Sequence, residues 1–145
     1  MEQKTSPSIF IVDDEPYCLQ LLEQYLSNLG YKNVSAFNNS ADCLNQLTEE
    51  PDFIFLDYNM DNLTGIDLLK KIKRFNPNII VLFVSSQEKI GIAVDALKFG
   101  ALDYIIKEDM TEERIKLNMD KALAIKELIN KRNKKGIVKK ILGRP

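Results

Sequence analysis

The chain alternates between two hydrophobic rhythms. Ser8-Ile9-Phe10-Ile11-Val12 is an unbroken apolar run bounded by Asp13-Asp14-Glu15-Pro16, the pattern of a short strand buried on both faces. Pro16 suits the first turn of a helix, with Asp14 or Glu15 near its cap. Leu19, Leu22, Tyr25, Leu26 and Leu29 recur every three or four residues, predicting an amphipathic helix closed by Gly30. The unit then repeats. Val34-Ser35-Ala36-Phe37 reads as a strand, and Asn39-Ser40 as the cap of a helix carrying Ala41, Leu44 and Leu47. Phe53-Ile54-Phe55-Leu56 is a third strand, ending at Asp57. A loop through Gly65 leads to a helix with Ile66, Leu69, Ile72 and Phe75 along one side, broken by Pro77. The run from Ile79 to Val84 is the most apolar strand. Ser85-Ser86 follows, then a helix whose apolar side is predicted to hold Ile90, Ala93, Val94 and Leu97, ended by Gly100. Tyr104-Ile105-Ile106 is a fifth strand, ending at Lys107. Thr111 opens a last helix through Ile115, Met119, Ala122, Leu123 and Leu128, and Gly136 is expected to interrupt the basic segment beyond it.

Five apolar strands alternating with five helices predict the α/β class: a doubly wound, five-stranded parallel sheet with five helices and right-handed crossovers. The 145 residues make one domain, expected over residues 1–130. Residues 131–145 read as a basic tail or linker, too short for an output domain. No run approaches the ~18 apolar residues of a membrane span. The polar N-terminus has no apolar signal core, so a cytoplasmic protein is expected. Two cysteines, Cys18 and Cys43, are too few for a disulfide scaffold. The chain has no histidine, which excludes histidine triads, histidine-ligated zinc and histidine acid–base catalysis.

Charge is segregated. Residues 1–113 hold 9 Lys and Arg against 19 Asp and Glu; residues 114–145 hold 11 against 2. The acidic body disfavours nucleic-acid binding, which needs cations for phosphate. The basic tail is read as a solvated helix end and linker, with a nucleic-acid or acidic-partner module as the alternative.

In open parallel α/β sheets, ligands bind beyond the carboxyl ends of the strands. Asp13 and Asp14 follow the first strand, Asp57 the third, Ser85 the fourth and Lys107 the fifth. Like charges at roughly 4–5 Å repel by about 3–4 kcal/mol per pair at an effective dielectric near 20. Oxygen ligands alone point to Mg2+ or Mn2+ as the offsetting cation. One aspartate is then free to attack a phosphoryl group and form an acyl phosphate. Lys107 and the cation would neutralise the phosphoryl oxygens, and Ser85 could donate a hydrogen bond to one.

These residues resemble the receiver domain of bacterial two-component response regulators over about residues 7–130. The matching segments are Ile11-Val12-Asp13-Asp14-Glu15, Phe55-Leu56-Asp57-Tyr58-Asn59-Met60 with Gly65 downstream, Val84-Ser85-Ser86, and Gly100 through Lys107. The resemblance implies a flavodoxin-like receiver fold with strand order 2-1-3-4-5. It implies Asp57 as phospho-acceptor, fed by a sensor histidine kinase or a histidine phosphotransfer protein. It further implies Mg2+ held by Asp13, Asp14, Asp57 and the backbone carbonyl of Asn59, and Lys107 paired with the phosphoryl group. Ser85 and Tyr104 would be the switch pair. A signalling switch with slow self-dephosphorylation, rather than an enzyme, is implied, acting on a downstream protein target, with a homodimer among the arrangements to test.

Two positions depart from the family pattern. Asp61 follows Met60 and Glu108 follows Lys107 where proline is usual. Side chains at Asn59 and Gln87 are candidates for steering the water that hydrolyses the acyl phosphate, and Leu97, Phe99 and Tyr104 for an exposed partner face. The competing enzyme reading is a Mg2+-dependent phosphohydrolase with an aspartyl nucleophile. Asp57-Tyr58-Asn59 resembles its D-x-D signature, but Asn59 replaces the second acid.

Overall fold

A computed structural model describes residues 6–60, 63–86 and 89–141, the last five by backbone alone. Five strands form one sheet: β1 (Ile9–Val12), β2 (Val34–Phe37), β3 (Phe53–Leu56), β4 (Ile80–Ser85) and β5 (Asp103–Ile106). Every pairing is parallel, and the order is β2-β1-β3-β4-β5, as the resemblance implies. Four helices connect them, α1 (Pro16–Asn28), α2 (Ser40–Asn45), α3 (Gly65–Phe75) and α4 (Ile90–Lys98), and a fifth, α5 (Glu112–Ile141), follows β5. Short 3-10 turns occupy Leu47–Glu49 and Lys107–Asp109.

The unbroken apolar runs have a direct cause. β1, β3 and β4 are buried at every residue, because both sheet faces are covered. Successive side chains point to opposite faces and build two cores. Ile9, Ile11, Phe53, Phe55 and Leu82 pack with Leu22 and Leu26 of α1 and Ile115 and Met119 of α5. Phe10, Val12, Ile54, Leu56 and Phe83 pack with Cys43, Leu68, Leu69, Ile72 and Ala96 from α2, α3 and α4. Each such aliphatic or phenyl side chain contributes about 1.5–3 kcal/mol on full burial, which makes the sheet the rigid frame of the molecule.

Side chains cap α2 and α5 where the sequence predicts, and Thr64 caps α3 as well, whereas Glu15 at the start of α1 makes no side-chain cap bond. Asn39 accepts from the N–H of Asp42 at 2.8 Å, Thr64 from Asp67 at 3.2 Å and Thr111 from Arg114 at 3.1 Å. Pro16 lies in the first turn of α1, and Gly100 follows α4 at φ +110°, a conformation L side chains avoid.

Several predicted helix faces are rotated. On α4, Ile90, Val94 and Leu97 are exposed, and the buried residue is Ala96, flanked by half-buried Ile92 and Ala93. On α3, Phe75 is exposed and Leu68 takes its place in the core. On α2, Ala41 is exposed, Cys43 is buried, and Leu47 lies in the following 3-10 turn. On α5, Leu123 and Leu128 are exposed, and Ile125 and Ile129 continue the packed side. Gly136 does not interrupt α5. The helix runs on to Ile141, with Lys131 to Gly136 all exposed, so the segment expected as a tail or linker is helical that far. Among the described residues no helix is long and apolar enough to cross a membrane.

Candidate functional site

Strand register makes the site. Val12 pairs with Phe37 and with Leu56, so β1, β2 and β3 end level. The ladder continues one step: the N–H of Asp13 donates to Phe37 O and that of Asp57 to Val12 O, both at 3.0 Å. Asp13 and Asp57 therefore leave the sheet side by side. Both are buried, while Asp14 is exposed at the rim. Carboxylate oxygens of Asp13, Asp14 and Asp57 all lie within 4.8 Å of one another.

Lys107 enters from the end of β5. Its Nζ lies 2.9 Å from Asp13 Oδ2, 3.5 Å from Asp57 Oδ2 and 3.5 Å from Glu15 Oε1. Asp13 Oδ1 accepts the N–H of Glu15 at 2.9 Å, which pins that carboxylate from its other side. The Asp57 carboxylate takes a backbone hydrogen bond from Asn59. Its Oδ1 is buried with no hydrogen-bond partner among the described residues.

The electrostatics follow from this crowding. Burial, reinforced by the negative charge of Asp13, pushes the Asp57 carboxyl up to about 7, although Lys107 and the Asn59 N–H pull the other way. Burial alone would lower Lys107, but its hydrogen bond to Asp13 and the charges of Asp13 and Asp57 outweigh that and raise it. Glu15 is held low by a hydrogen bond from the Cys18 thiol and by Lys107. The thiol in turn is pushed up to about 12 by burial and by Glu15.

The donor set fits a small hard cation. An orphaned, buried carboxylate oxygen beside two further carboxylates is costly unless a positive charge meets it. One ammonium cannot balance three aspartates, and all the available ligands are oxygens, as Mg2+ requires.

Ser85 ends β4 and is fully buried. Tyr104 stacks on Phe83 with ring centroids 5.9 Å apart, and its side chain hydrogen-bonds to Ser85. Every described peptide bond is trans, so Lys107 enters its 3-10 turn without the cis bond that a following proline often brings. Asn59 is exposed at the rim; Asp61 and Gln87 lie outside the described residues. Gly65 has a role its place in the motif did not reveal. A Cβ there would overlap the carbonyl oxygen of Asp57, and would come within 2.6 Å of the Phe83 ring and 2.7 Å of Tyr58 Cα. Glu15 and Cys18 were also missed as site residues. Their only signal was the spacing of three between an acid and a thiol at the start of a helix.

The fold and rim define an α/β domain with an acidic, cation-accepting pocket at the carboxyl ends of its parallel strands. Residues 9–119 match the response regulator receiver domain, and the chain belongs to that family. It is 38% identical over 117 residues to the transcriptional regulatory protein ZraR of Klebsiella oxytoca, covering 80% of this chain but 26% of that protein. The chain thus spans about a quarter of the length of ZraR. It is 28% identical over 100 residues to the chemotaxis protein CheY of Thermotoga maritima, covering 68% of this chain and 83% of CheY. Among solved structures, a response regulator receiver domain protein from Clostridium thermocellum superposes with a TM-score of 0.78 at 28% identity, covering 85% of this chain and 98% of that one. Receiver domains are signalling switches that bind Mg2+ at an acidic pocket.

Proposed function

We propose that this chain is a phosphorylation switch in which Asp57 accepts a phosphoryl group, in a Mg2+-dependent reaction, from a sensor histidine kinase or a histidine phosphotransfer protein. The observation that carries this reading is the burial of Asp57, with an unpartnered oxygen, between two further aspartates and Lys107. A carboxylate oxygen of Asp57 attacks phosphorus, the P–N bond of the phosphohistidine breaks, and the departing imidazole takes up a proton. Asp13, Asp14, Asp57 and the backbone carbonyl of Asn59 are the groups that would hold Mg2+, whose charge offsets that of the phosphoryl oxygens. Lys107 pairs with one phosphoryl oxygen and Ser85 donates to another.

The added phosphoryl carries about −2 charge and three acceptors. Drawing Ser85 toward it releases or recruits the Tyr104 hydroxyl and shifts the surface of α4, β5 and α5 between two states. A downstream protein, or a second copy of the chain, reads that surface. The phosphoryl group is lost slowly by hydrolysis, so the chain acts as a switch and not as a turnover enzyme. Intact mass spectrometry with acetyl phosphate and Mg2+ tests the assignment. One phosphoryl adduct is expected on the wild type and none on Asp57→Asn; an adduct that survives the substitution refutes it.

A further inference from the structure

Glu15 is the residue at this site for which the family motif supplies no role. Its side chain is half exposed, yet it is held on two sides. The buried Cys18 thiol, one helical turn along, donates to Oε1, and the Lys107 ammonium lies 3.5 Å from the same oxygen. Lys107 is just as far from Asp57. One ammonium is therefore shared among Asp13, its nearest partner at 2.9 Å, the buried Asp57 and an outer carboxylate fixed in place by a neighbour.

We infer that Glu15 is a positioning residue, an outer seat for the Lys107 ammonium that competes with a phosphoryl group on Asp57. The inference rests on the phosphorylation reading above and adds a control to it. As Lys107 closes on phosphoryl oxygens at Asp57, it must give up part of its attraction to Glu15. Cys18, which holds Glu15 through that hydrogen bond, is itself buried, so the carboxylate keeps its place beside Lys107. Glu15 thus biases the domain toward its unphosphorylated state, and its removal shifts the balance the other way.

The test uses beryllofluoride, a phosphoryl mimic, titrated calorimetrically into the whole chain in Mg2+. Glu15→Gln removes the charge. Glu15→Asp keeps the charge but withdraws it by one methylene from Lys107 and Cys18. Both variants should bind beryllofluoride about 1.5–5-fold more tightly, the scale of one exposed ion pair. If Glu15→Asp behaves as wild type while Glu15→Gln alone tightens, the effect is a general field and the seat does not exist. Unchanged affinity in both variants also overturns the inference. Asp57→Asn separates the two levels. Wild type binding where Asp57→Asn does not, with inert Glu15 variants, sinks only this inference; absence of binding to wild type sinks the phosphorylation reading and this one with it.

Discussion

Lys107 stands closer to Asp13 than to Asp57, at 2.9 Å against 3.5 Å. The short contact is held from both ends, because the N–H of Glu15 fixes the other oxygen of Asp13. In the absence of a metal the ammonium serves as the cation of the pocket. Lys107→Met removes it and leaves the aspartates to repel. The loss is limited because Asp57 then takes a proton instead of staying charged. A destabilisation of about 1–3 kcal/mol is expected in a chelator at about pH 8, smaller at about pH 6, and largely recovered with excess Mg2+. Urea unfolding under those conditions checks it. Equal losses at both pH values would mean that Lys107 acts through packing alone.

The pH dependence of the wild type has a definite sign. Asp57 is raised from 3.8 to about 7 in the metal-free fold, so the folded chain binds a proton more tightly than the unfolded chain. Its contribution to stability is fully present below about pH 4 and is lost as pH rises toward about pH 7, with no further loss above that. A metal reverses the trend, since it needs the ionised carboxylate. Melting temperatures in chelator and in Mg2+ should therefore diverge as pH rises through about 7. Parallel curves would remove Asp57 from the metal site.

Gly65 is required by contact, not by backbone conformation. Two of the three atoms a methyl group would meet are backbone atoms of Asp57 and Tyr58, which cannot rotate away. The same glycine donates its N–H to Tyr58 O at 2.8 Å, closing the loop that carries the acceptor. Gly65→Ala should cost at least about 2 kcal/mol and slow phosphorylation, because the shift falls on Asp57 itself. Gly136 is a control within α5: beyond the helix's own backbone, no described atom lies within 4 Å of a Cβ there. Gly136→Ala should raise helicity and stabilise by about 0.5–1 kcal/mol, read by circular dichroism. A harmless Gly65→Ala would contradict the packing described.

What the sequence revealed divides along physical lines. The central strands were legible because a strand covered on both faces is apolar along nearly its whole length, and Phe53 to Leu56 could be little else. The rim followed from them, since Asp13, Asp57 and Lys107 each come directly after a strand. The face of α4 was not legible. That helix has nine residues, seven of them apolar or glycine, so the predicted Ile90-Ala93-Val94-Leu97 and the observed Ile92-Ala93-Ala96, which share Ala93, fit the helical period equally well. The sheet selected the smaller set, where Ala96 allows close approach. The Glu15 and Cys18 contact was invisible for another reason: it depends on how the loop after β1 turns into α1, which no periodicity records.

Tyr104 and Ser85 are bonded through their side chains, with the Tyr104 ring stacked on Phe83. Burial raises the Tyr104 phenol, so the hydroxyl stays protonated and available as a donor. Tyr104→Phe keeps the stack and loses the hydrogen bond, for an expected cost of about 0.5–1.5 kcal/mol. Tyr104→Ala also loses the ring and should cost more. If the pair transmits phosphorylation, beryllofluoride will perturb the amide signals of α4 in the wild type and much less in Tyr104→Phe, with Ser85→Ala matching it. Ser85 still moves toward the phosphoryl group in Tyr104→Phe, but without the hydrogen bond that movement no longer reaches the Tyr104 ring. Equal perturbation of α4 in all three proteins would show that the signal leaves Asp57 by another route.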